Sequence, residues 1–495
     1  MTPMNYDDAV DPLALLEADT TLEAAHPILE LAAQYFAETR KGEGPVSTWH
    51  SAEVIADRLA QPMPKHPRPL ADVARRLSQQ MLSDVNRLAH PMYIGHQVSA
   101  PLPAAVWTDA LISALNQSQA VREMSPSFTP LEHQVIEWMT DLVGWDARAG
   151  GTMTSGGTEA TFTALLAARS RAIPDVWTNG VGARPPVIVC GEHAHYAVAR
   201  AAGEMGLGQS RVITVPSHEY HMSIGKLRDT LTRLRDAGTR VMAVVGTAGC
   251  TATGAFDDLE AIADACDDFA DELGPLWFHV DAAHGGAALL SASHRHRVRG
   301  IHRARSVAWD PHKTLLLPLS AGMLLMRHEH DLEAAFSQTA PYLFTPAEDA
   351  RAWDMGPRSF QCSRRADVLK VWVAFERYGS DALAALYDRL CHMARTLHAL
   401  LIGHPMFLPL HEPESNILCF AWNPPHVPLD ERNALTDALR ERYNRSGRGW
   451  ITATTLHGRR VMRATVMNAR TTESHIEALV SGLEAEAARV LKAQG

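Results

Sequence analysis

A lysine followed by a run of leucines is the residue of greatest chemical interest in this chain. Lys313 stands in DPHKTLLLPL and is one of only six lysines among 495 residues. Apolar neighbours that shield an amine from water favour its neutral form, which is a nucleophile toward carbonyl carbon. Structural lysines usually lie in mixed polar sequence instead. Lys313 is therefore a candidate for covalent attachment to a carbonyl group.

A glycine-rich stretch, GGTMTSGGTEA (150–160), leads into an alanine- and leucine-rich helix predicted to begin near Thr158. Gly156 and Gly157 would let the backbone approach a ligand, and free N–H groups at a helix start bind phosphate. The same residues could also form a helix cap without a ligand. A Walker A loop would need lysine where Thr158 stands, and a hydrolase elbow would need glycine at Met153.

Two further side chains follow predicted strands. Asp281 ends the apolar run LWFHVD, where open parallel sheets place their ligands. A carboxylate there could pair with a cofactor cation or simply cap the next turn. His195 follows the run that ends at Cys190 and could stack on a ring, although a lone histidine is more often a surface or core residue. The spacing of the other histidines matches no standard zinc site, and no metal is expected.

These four features indicate a function more specifically together than any one of them does alone. A phosphate cradle, a strand-end carboxylate, a ring-stacking histidine and a shielded lysine are what pyridoxal phosphate requires of its protein. All of them fall within one segment of the chain, in an order compatible with a single sheet edge. The sequence therefore predicts pyridoxal 5'-phosphate as the cofactor.

The elements that must position these residues form an α/β pattern. From about residue 151, short continuous apolar runs alternate with helical segments, which predicts a mostly parallel sheet buried on both faces. The runs are PPVIVC (185–190), SRVITVP (210–216), TRVMAVVGTAG (239–249), PLWFHVDAA (275–283), SVAWD (306–310) and AGMLLMR (321–327). Glycine-rich residues 150–157 are taken as a turn.

Helical patterns flank this segment on both sides. Residues up to about 90 read as acidic helices with a proline-rich connector at 61–76, and residues 102–145 as two helices separated where Pro126 and Pro130 break the pattern. Helices return from about 365, and the short strands NILCFAW and RRVMRATVM follow. We predict an N-terminal helical segment (1–95), a large cofactor-binding domain (96–380) and a small C-terminal α+β domain (381–495).

Overall composition excludes several classes of protein. A formal net charge of -10 argues against a nucleic-acid or anionic-membrane partner. The chain has no run of about 18 apolar residues and no basic-then-apolar start typical of a signal peptide. Six scattered cysteines without a CxxC pair favour reduced thiols and a cytoplasmic protein.

The motifs together resemble the group II pyridoxal-phosphate-dependent amino acid decarboxylases, which include glutamate, aromatic-amino-acid, diaminobutyrate and cysteine-sulfinate decarboxylases. The likeness covers about residues 85–480. It rests on HPMYIGHQ (90–97), TSGGTEAT (154–161), EHAHY (192–196), GTAGCTATGAFDDL (246–259), FHVDAAHGG (278–286), DPHK (310–313), PYLF (341–344), QCSRRADVLKVW (361–372) and VMRATVMN (461–468). It implies the fold of type I pyridoxal-phosphate enzymes and a homodimer with active sites at its interface.

The resemblance also implies roles at the cofactor. Lys313 matches the lysine that binds the cofactor covalently, Asp281 the partner of the ring nitrogen, and His195 the histidine stacked on the ring. Asp310 matches a further position at the cofactor, where several relatives have asparagine. The remaining matches are Gly156, Gly157 and Thr158 in the phosphate loop, and Thr247 and Ala283 around the ring.

For the substrate, Arg463 matches the arginine that holds the α-carboxylate. Tyr342 matches the loop tyrosine that returns a proton to Cα, with His312 or His195 as possible assistants. His96 and Gln97 fall at substrate-pocket positions.

The implied reaction converts an L-amino acid to its amine and carbon dioxide. Arg122 favours an acidic, glutamate-like substrate, although it could equally pair with Glu123 or face solvent, and diaminobutyrate is the other candidate. His284 replaces the tyrosine or tryptophan common after the DAA triplet. Aromatic-amino-acid decarboxylation, transamination and aldehyde synthesis on the same fold are the alternatives.

Overall fold

The computed structural model describes residues 12–336, 353–424 and 427–493. Helices in these ranges are numbered α1 to α15 in chain order. They are α1 (Pro12–Ala18), α2 (Leu22–Lys41), α3 (Ala52–Leu59), α4 (Leu70–Gln80), α5 (Pro103–Leu115), α6 (Phe128–Val143), α7 (Gly157–Ala172), α8 (Val176–Asn179), α9 (Ala197–Glu204), α10 (Ile224–Asp236), α11 (Leu259–Asp268), α12 (His330–Ala335), α13 (Val368–Leu401), α14 (Leu429–Arg445) and α15 (Glu473–Lys492).

Fourteen strands complete the described elements. They are β1 (Tyr93–Ile94), β2 (Gly150–Thr154), β3 (Val187–Gly191), β4 (Val212–Val215), β5 (Ser217–His218), β6 (His221–Met222), β7 (Val241–Thr247), β8 (Trp277–Asp281), β9 (Ser306–Trp309), β10 (Gly322–Met326), β11 (Phe407–Pro409), β12 (Ile417–Trp422), β13 (Trp450–Leu456) and β14 (Arg459–Thr465).

A seven-stranded sheet forms the centre of the molecule, with strand order β2-β10-β9-β8-β7-β3-β4. Its pairs are parallel except those made by β10, which runs antiparallel to both β2 and β9. Strands β7 and β8 are buried along nearly their whole length, as continuous apolar strands require. The prediction of a mostly parallel sheet in an α/β fold is confirmed.

All six strands predicted from apolar runs are present, as β3, β4, β7, β8, β9 and β10. Strand β2 was missed, because the glycines of 150–157 indicate a turn on their own. A side chain at Gly151 would collide with the carbonyl oxygen of Leu324 on β10, so glycine is what allows the two backbones to pair here.

A second sheet of five strands has the order β1-β13-β14-β12-β11. Strands β11 to β14 pair antiparallel, while β1, from the N-terminal part of the chain, runs parallel to β13. Helices α14 and α15 contact each other and α14 covers β13 and β14. This sheet carries Arg463 at the middle of β14.

Two helix boundaries differ from the sequence-based prediction, those of α6 and α4. Helix α6 begins at Phe128, so Pro130 lies in its first turn, where the missing N–H group costs nothing. Helix α4 begins at Leu70, inside the stretch expected to be a connector. Helix α13 is interrupted at Gly379, whose φ of 72° leaves the helical region. The three-domain division stays a prediction. No helix in the described ranges is long and apolar enough to cross a membrane.

Candidate active site

The carboxyl ends of the central parallel strands bring the predicted residues together. Thr247 at the end of β7 is the register partner of Asp281 at the end of β8. Asp281 in turn pairs with Ala308 on β9, and the chain turns after β9 to reach Lys313, whose N–H donates to the carbonyl of Asp310 at 2.9 Å. The sheet therefore presents these side chains at one edge.

A cavity of about 240 Å³ lies at this edge. It is lined by Gly157, Thr158, His195, Tyr196, Thr247, Gly249, Thr251, Asp281, Ala283, His284, Asp310, His312 and Lys313. The predicted cofactor-binding residues all belong to this lining except Gly156. Gly156 lies directly behind it, since a Cβ atom there would be 3.2 Å from Cε1 of His312.

The lysine amine has a charged neighbour rather than an apolar one. Nζ of Lys313 lies 3.1 Å from Oδ2 of Asp310, which is also 3.5 Å from Nε2 of His312. The leucines that follow Lys313 pack into the core instead. Nδ1 of His312 accepts the N–H of Ala321 at 3.1 Å, so the neutral imidazole carries its proton on Nε2, facing Asp310. Burial lowers the pKa of His312, and Asp310 partly offsets this.

The phosphate cradle lies between β2 and α7. The first-turn N–H groups of α7, starting at Gly157, have no partner within the helix. A Cβ atom at Gly157 would lie 2.7 Å from Cβ of Ala283 and 3.1 Å from Oδ2 of Asp310, so only glycine leaves this space open. Oε2 of Glu159 accepts hydrogen bonds from Ser155 N–H (2.9 Å) and from Gln361 (2.7 Å). The sequence analysis missed both Glu159 and Gln361.

Two residues of the lining have their backbone fixed by hydrogen bonds. Oδ1 of Asp281 accepts the N–H of Ala283 at 3.1 Å. The N–H of Thr247 donates to Oδ2 of Asp257 at 2.8 Å, while its buried Oγ1 has no partner among the described residues. Burial raises the pKa of Asp257. Thr247 thus has a free hydroxyl held rigidly at the cavity wall.

His195 stands over this edge with its ring centroid 4.1 Å from that of Tyr196. Burial lowers the pKa of His195; Asp281 raises it and Lys313 lowers it further. The imidazole is consequently neutral near pH 7. Tyr196 lines the cavity and was not among the predicted site residues.

These features fit pyridoxal phosphate in three respects. The glycine cradle and helix start suit a phosphate, because a side chain at Gly157 would fill the space and the N–H groups there are free. Asp281 supplies a carboxylate for a ring nitrogen. Two buried oxygens, Oγ1 of Thr247 and Oδ1 of Asp310, have no protein partner in the described part of the chain. Within the same ranges, no cluster of histidine, cysteine, aspartate or glutamate could hold a metal ion.

The predicted substrate residues lie outside the lining of this cavity. Arg463 is only 6% exposed, and its Nε and Nη2 atoms have no hydrogen-bond partner in the described ranges. Burial lowers its pKa, against smaller opposing effects of the Cys419 and Cys250 thiols. Burial, followed by the charge of Arg463, lowers the pKa of His96. Nε2 of Gln97 is buried without a described partner.

Two other residues were predicted from the sequence to act on the substrate, Tyr342 and Arg122. Tyr342 lies outside the described residues. Arg122 is exposed and does not line the cavity, and its backbone N–H donates to Asp354 at 2.8 Å. The suggestion that Arg122 favours an acidic substrate is therefore not supported by its position.

His284 is buried in the cavity wall, and its Nε2 lies 2.7 Å from Oδ1 of Asn416. Burial, with a smaller contribution from Lys313, lowers its pKa to about 3. Asn416 was not identified from the sequence, because nothing in its local pattern points to a residue so distant in the chain.

Comparison with known proteins adds the following. Residues 54–423 match the family model of the pyridoxal-dependent decarboxylase conserved domain. Cysteine sulfinic acid decarboxylase from Mus musculus is 34% identical over 346 residues, which make up 69% of this chain and 69% of that protein. The protein of the same name from Rattus norvegicus is 34% identical over 345 residues, with the same coverage.

Solved structures are similar over nearly the whole chain. The crystal structure of mouse CSAD superposes with a TM-score of 0.87 at 28% identity, covering 97% of this chain and 99% of that one. The glutamate decarboxylase domain of a diaminobutyrate-pyruvate transaminase and L-2,4-diaminobutyrate decarboxylase from Vibrio parahaemolyticus gives 0.84 at 26% identity, covering 97% and 100%. The predicted fold of type I pyridoxal-phosphate enzymes is thereby confirmed.

Proposed function

The chain belongs to the pyridoxal-dependent decarboxylase family and is a pyridoxal-phosphate-dependent amino acid decarboxylase, and we propose that its substrate is an L-amino acid with an acidic side chain. Two curated relatives with 34% identity are named for an acidic amino acid, cysteine sulfinic acid.

The observation that carries the binding of an amino acid is the unpaired guanidinium of Arg463; the acidic side chain rests on the relatives named above. An arginine stays charged in proteins, and a buried cation without a partner is costly. Among the described residues, no carboxylate forms an ion pair with Arg463, and its neighbours on β12 and β13 are Cys419 and Thr452. Burial holds the Cys419 thiol neutral by raising its pKa to about 12. A substrate carboxylate is the partner that this site lacks, and a bidentate fork would fix its orientation.

Bound pyridoxal phosphate supplies a ring that accepts the electron pair released when the bond to the carboxylate breaks. We assign the chain's own residues around it as follows. Lys313 binds the cofactor, and Asp281 holds a proton on the ring nitrogen. His195 would stack on the ring, and Thr247 and Ala283 would lie around it. Gly156, Gly157 and Thr158 bind the phosphate together with the start of α7.

A second group of residues orients the substrate and transfers the proton. Arg463 would hold the α-carboxylate of the substrate and fix its orientation relative to the bound cofactor, which decarboxylation requires. Tyr342 returns a proton to Cα, assisted by His312 or His195. Both histidines are neutral near pH 7 because burial lowers their pKa. In each ring Nδ1 accepts a backbone N–H, so the ring proton is on Nε2, from which it can be donated. His96 and Gln97 form the outer wall of the substrate pocket, and Asp310 orients Lys313 and His312.

Diaminobutyrate is the second candidate substrate. It is supported by the similarity to the Vibrio parahaemolyticus domain whose name includes L-2,4-diaminobutyrate decarboxylase. Its side chain is cationic, so the two candidates make opposite demands on charge.

The experiment is a substrate panel on purified protein loaded with pyridoxal phosphate. It contains glutamate, aspartate, cysteine sulfinate, diaminobutyrate and the aromatic amino acids, and it measures released carbon dioxide and amine. We expect turnover of an acidic member, lost in Lys313→Ala together with the absorbance of the covalently bound cofactor. Turnover confined to diaminobutyrate or an aromatic amino acid would overturn the substrate class. Tyr342→Phe tests proton return, since aldehyde by-product should increase in that variant.

We further propose that the protein acts as a homodimer in the cytoplasm. Trp107, Leu111 and Leu115 on α5 are exposed at a spacing of four residues, so they form an apolar stripe on one helix face. All six cysteines are free and five are buried, in keeping with reduced thiols. Sedimentation should give twice the chain mass, and Leu111→Glu should shift it toward the monomer. A monomeric wild-type enzyme with full activity would contradict the dimer.

A further inference from the structure

His284 has a backbone that cannot shift. Oγ1 of Thr314, the residue after Lys313, donates to its carbonyl at 2.8 Å. The two glycines that follow are enclosed: a Cβ atom at Gly285 would be 2.6 Å from the Phe256 ring, and one at Gly286 would collide with the Trp309 ring. The segment after β8 is therefore clamped to the lysine turn on one side and to the core on the other.

Asn416, the side-chain partner of His284, is equally fixed to the second sheet. Its side-chain Nδ2 donates to the backbone carbonyl of Val466 at 2.7 Å, and the backbone carbonyl of Asn416 accepts the Val466 N–H at 3.0 Å. Val466 directly follows β14, which carries Arg463. Asn416 also precedes β12, whose Cys419 is the register partner of Arg463. Any movement of Asn416 thus moves the strand that holds the arginine.

The direction of the bond between these two side chains follows from the geometry. Because Nδ2 of Asn416 donates to Val466, its Oδ1 is the acceptor that faces His284. Nε2 of His284 must then carry the proton, and Nδ1 is left with a lone pair and no described partner. Burial keeps this imidazole uncharged, since its pKa is lowered to about 3. The result is a neutral, fully buried hydrogen bond with one permitted tautomer.

This bond joins two groups that must act on one substrate molecule. Lys313 lies in the turn that follows β9 of the central sheet, and Arg463 lies on β14 of the second sheet. The charges of both lower the pKa of His284. We propose that His284 and Asn416 form a positioning pair, which holds the guanidinium of Arg463 at the correct distance from Lys313 for the α-carboxylate. The proposal rests on the assignment of Arg463 made above. Neither residue of the pair needs to touch the reacting atoms.

The test compares two histidine-to-phenylalanine changes in the loaded enzyme. His284→Phe removes the donor from the pair, and His221→Phe removes a 2.6 Å bond to Glu414, which also joins the two parts of the fold but lies outside the cavity lining. We expect His284→Phe to raise KM about tenfold or more with a smaller change in kcat, because one buried hydrogen bond is lost. His221→Phe should lower the melting temperature only slightly and leave KM within about twofold of wild type.

Two further variants separate positioning from folding. His284→Gln can still donate to Asn416, so it should recover most of the lost KM. Asn416→Ala should add little when combined with His284→Phe, as expected of two residues that act as a unit. Equal KM changes in both phenylalanine variants, or no recovery with glutamine, would overturn the proposal.

A measurement that needs no turnover distinguishes this outcome from failure of the substrate assignment. Binding of the L-amino acids of the panel is followed through the absorbance of the bound cofactor, with the affinity for pyridoxal phosphate measured separately. His284→Phe should weaken amino acid binding about tenfold while retaining the cofactor. If wild type binds no acidic amino acid, the substrate class fails. If His284→Phe binds whichever amino acid wild type binds with unchanged affinity, the positioning pair fails.

Discussion

Two arginines in this molecule are buried to the same extent in opposite surroundings. Arg364 is 5% exposed and makes a bidentate pair with Glu132, at 2.9 and 2.7 Å. Glu132 also accepts the N–H of Met153 at 2.8 Å, so its carboxylate has hydrogen-bond donors beyond the ion pair. Arg463 is 6% exposed and has no described carboxylate partner. One charge is balanced within the chain, and the other is left for an anion from outside.

The difference separates a structural cation from a functional one. Breaking a buried ion pair costs about 3–5 kcal/mol, because a charge without a partner remains in the interior. The folded chain carries that kind of cost at Arg463 but avoids it at Arg364. A site selected for stability alone would not keep such a charge, so the position of Arg463 is best understood through the ligand it binds.

The largest effect is expected from Arg463→Met. Loss of about 3–5 kcal/mol of interaction with the substrate carboxylate should lower kcat/KM by about 10²–10⁴-fold. The melting temperature should stay equal or rise, since an unpaired buried charge is removed. Arg463→Lys, which keeps the charge but not the fork, should lose less activity. Steady-state kinetics and thermal melts measure the two effects. A strong drop in melting temperature would mean that Arg463 stabilises the fold and does not serve the substrate.

Glu132→Gln should have the opposite effect to Arg463→Met, a loss of stability without a loss of activity. It leaves the Arg364 charge unpaired while retaining most of the shape, so the free energy of unfolding should fall by about 3–5 kcal/mol. The folded fraction should keep its kcat/KM, because the pair does not line the cavity. Urea denaturation with parallel activity measurements checks this. Unchanged stability would mean that the Glu132–Arg364 pair is not a structural requirement.

Replacing both partners should reverse most of that loss. The double variant Glu132→Leu with Arg364→Met removes the charges together, and such replacements are often neutral. We expect a free energy of unfolding within about 2 kcal/mol of wild type. The Met153 N–H loses its acceptor in this variant, which sets the residual cost. If the double variant were less stable than Glu132→Gln alone, the charge argument would be wrong.

The smallest effect concerns His221, whose positive charge is lost as the pH rises. His221 donates to Glu414 at 2.6 Å, and this bond is the main reason that its pKa is raised above 6.5. Arg297 also lies 3.3 Å from Glu414, and Asp257 contributes to the raised pKa of His221. A raised folded-state pKa gives stability that is fully present below the unfolded pKa and is lost as pH rises through the folded value.

Wild type should therefore lose stability relative to His221→Phe as the pH rises from about 6.5, the ordinary histidine pKa, through the raised pKa of His221. Solvent screening of this half-exposed side chain should keep the difference below about 1 kcal/mol. Denaturation midpoints across this pH range provide the measurement. Parallel curves for the two proteins would show that the pair contributes nothing.

The sequence predicts the central sheet well because its strands are buried on both faces. Runs such as VMAVVGT and LWFHVD admit no period-2 alternation, and their ends locate Thr247 and Asp281 at one edge. The cofactor residues follow from the same logic, since Lys313 and His195 come directly after such strands. Local pattern and tertiary position agree at these residues.

The rest depends on contacts between distant parts of the chain. Strand β2 consists of glycine and threonine, and only the approach of β10 makes those glycines necessary. Asn416 and Gln361 sit in polar stretches that any exposed loop could contain, and their roles arise from partners at His284 and Glu159. Arg122 shows the converse, because a charge placed near a motif in sequence lies on the surface in three dimensions.

Strand β10 has a consequence for the order in which the protein folds. It inserts between β2 and β9, so Thr154 meets Gly322 only after the intervening strands of the chain have been synthesised and arranged. Contacts so distant in sequence close late, since their loop entropy is lost before they bring any stabilisation. The cradle that follows β2 is therefore completed near the end of folding. We therefore expect free pyridoxal phosphate to bind the finished domain rather than its precursors, and so to stabilise the folded enzyme without raising its folding rate.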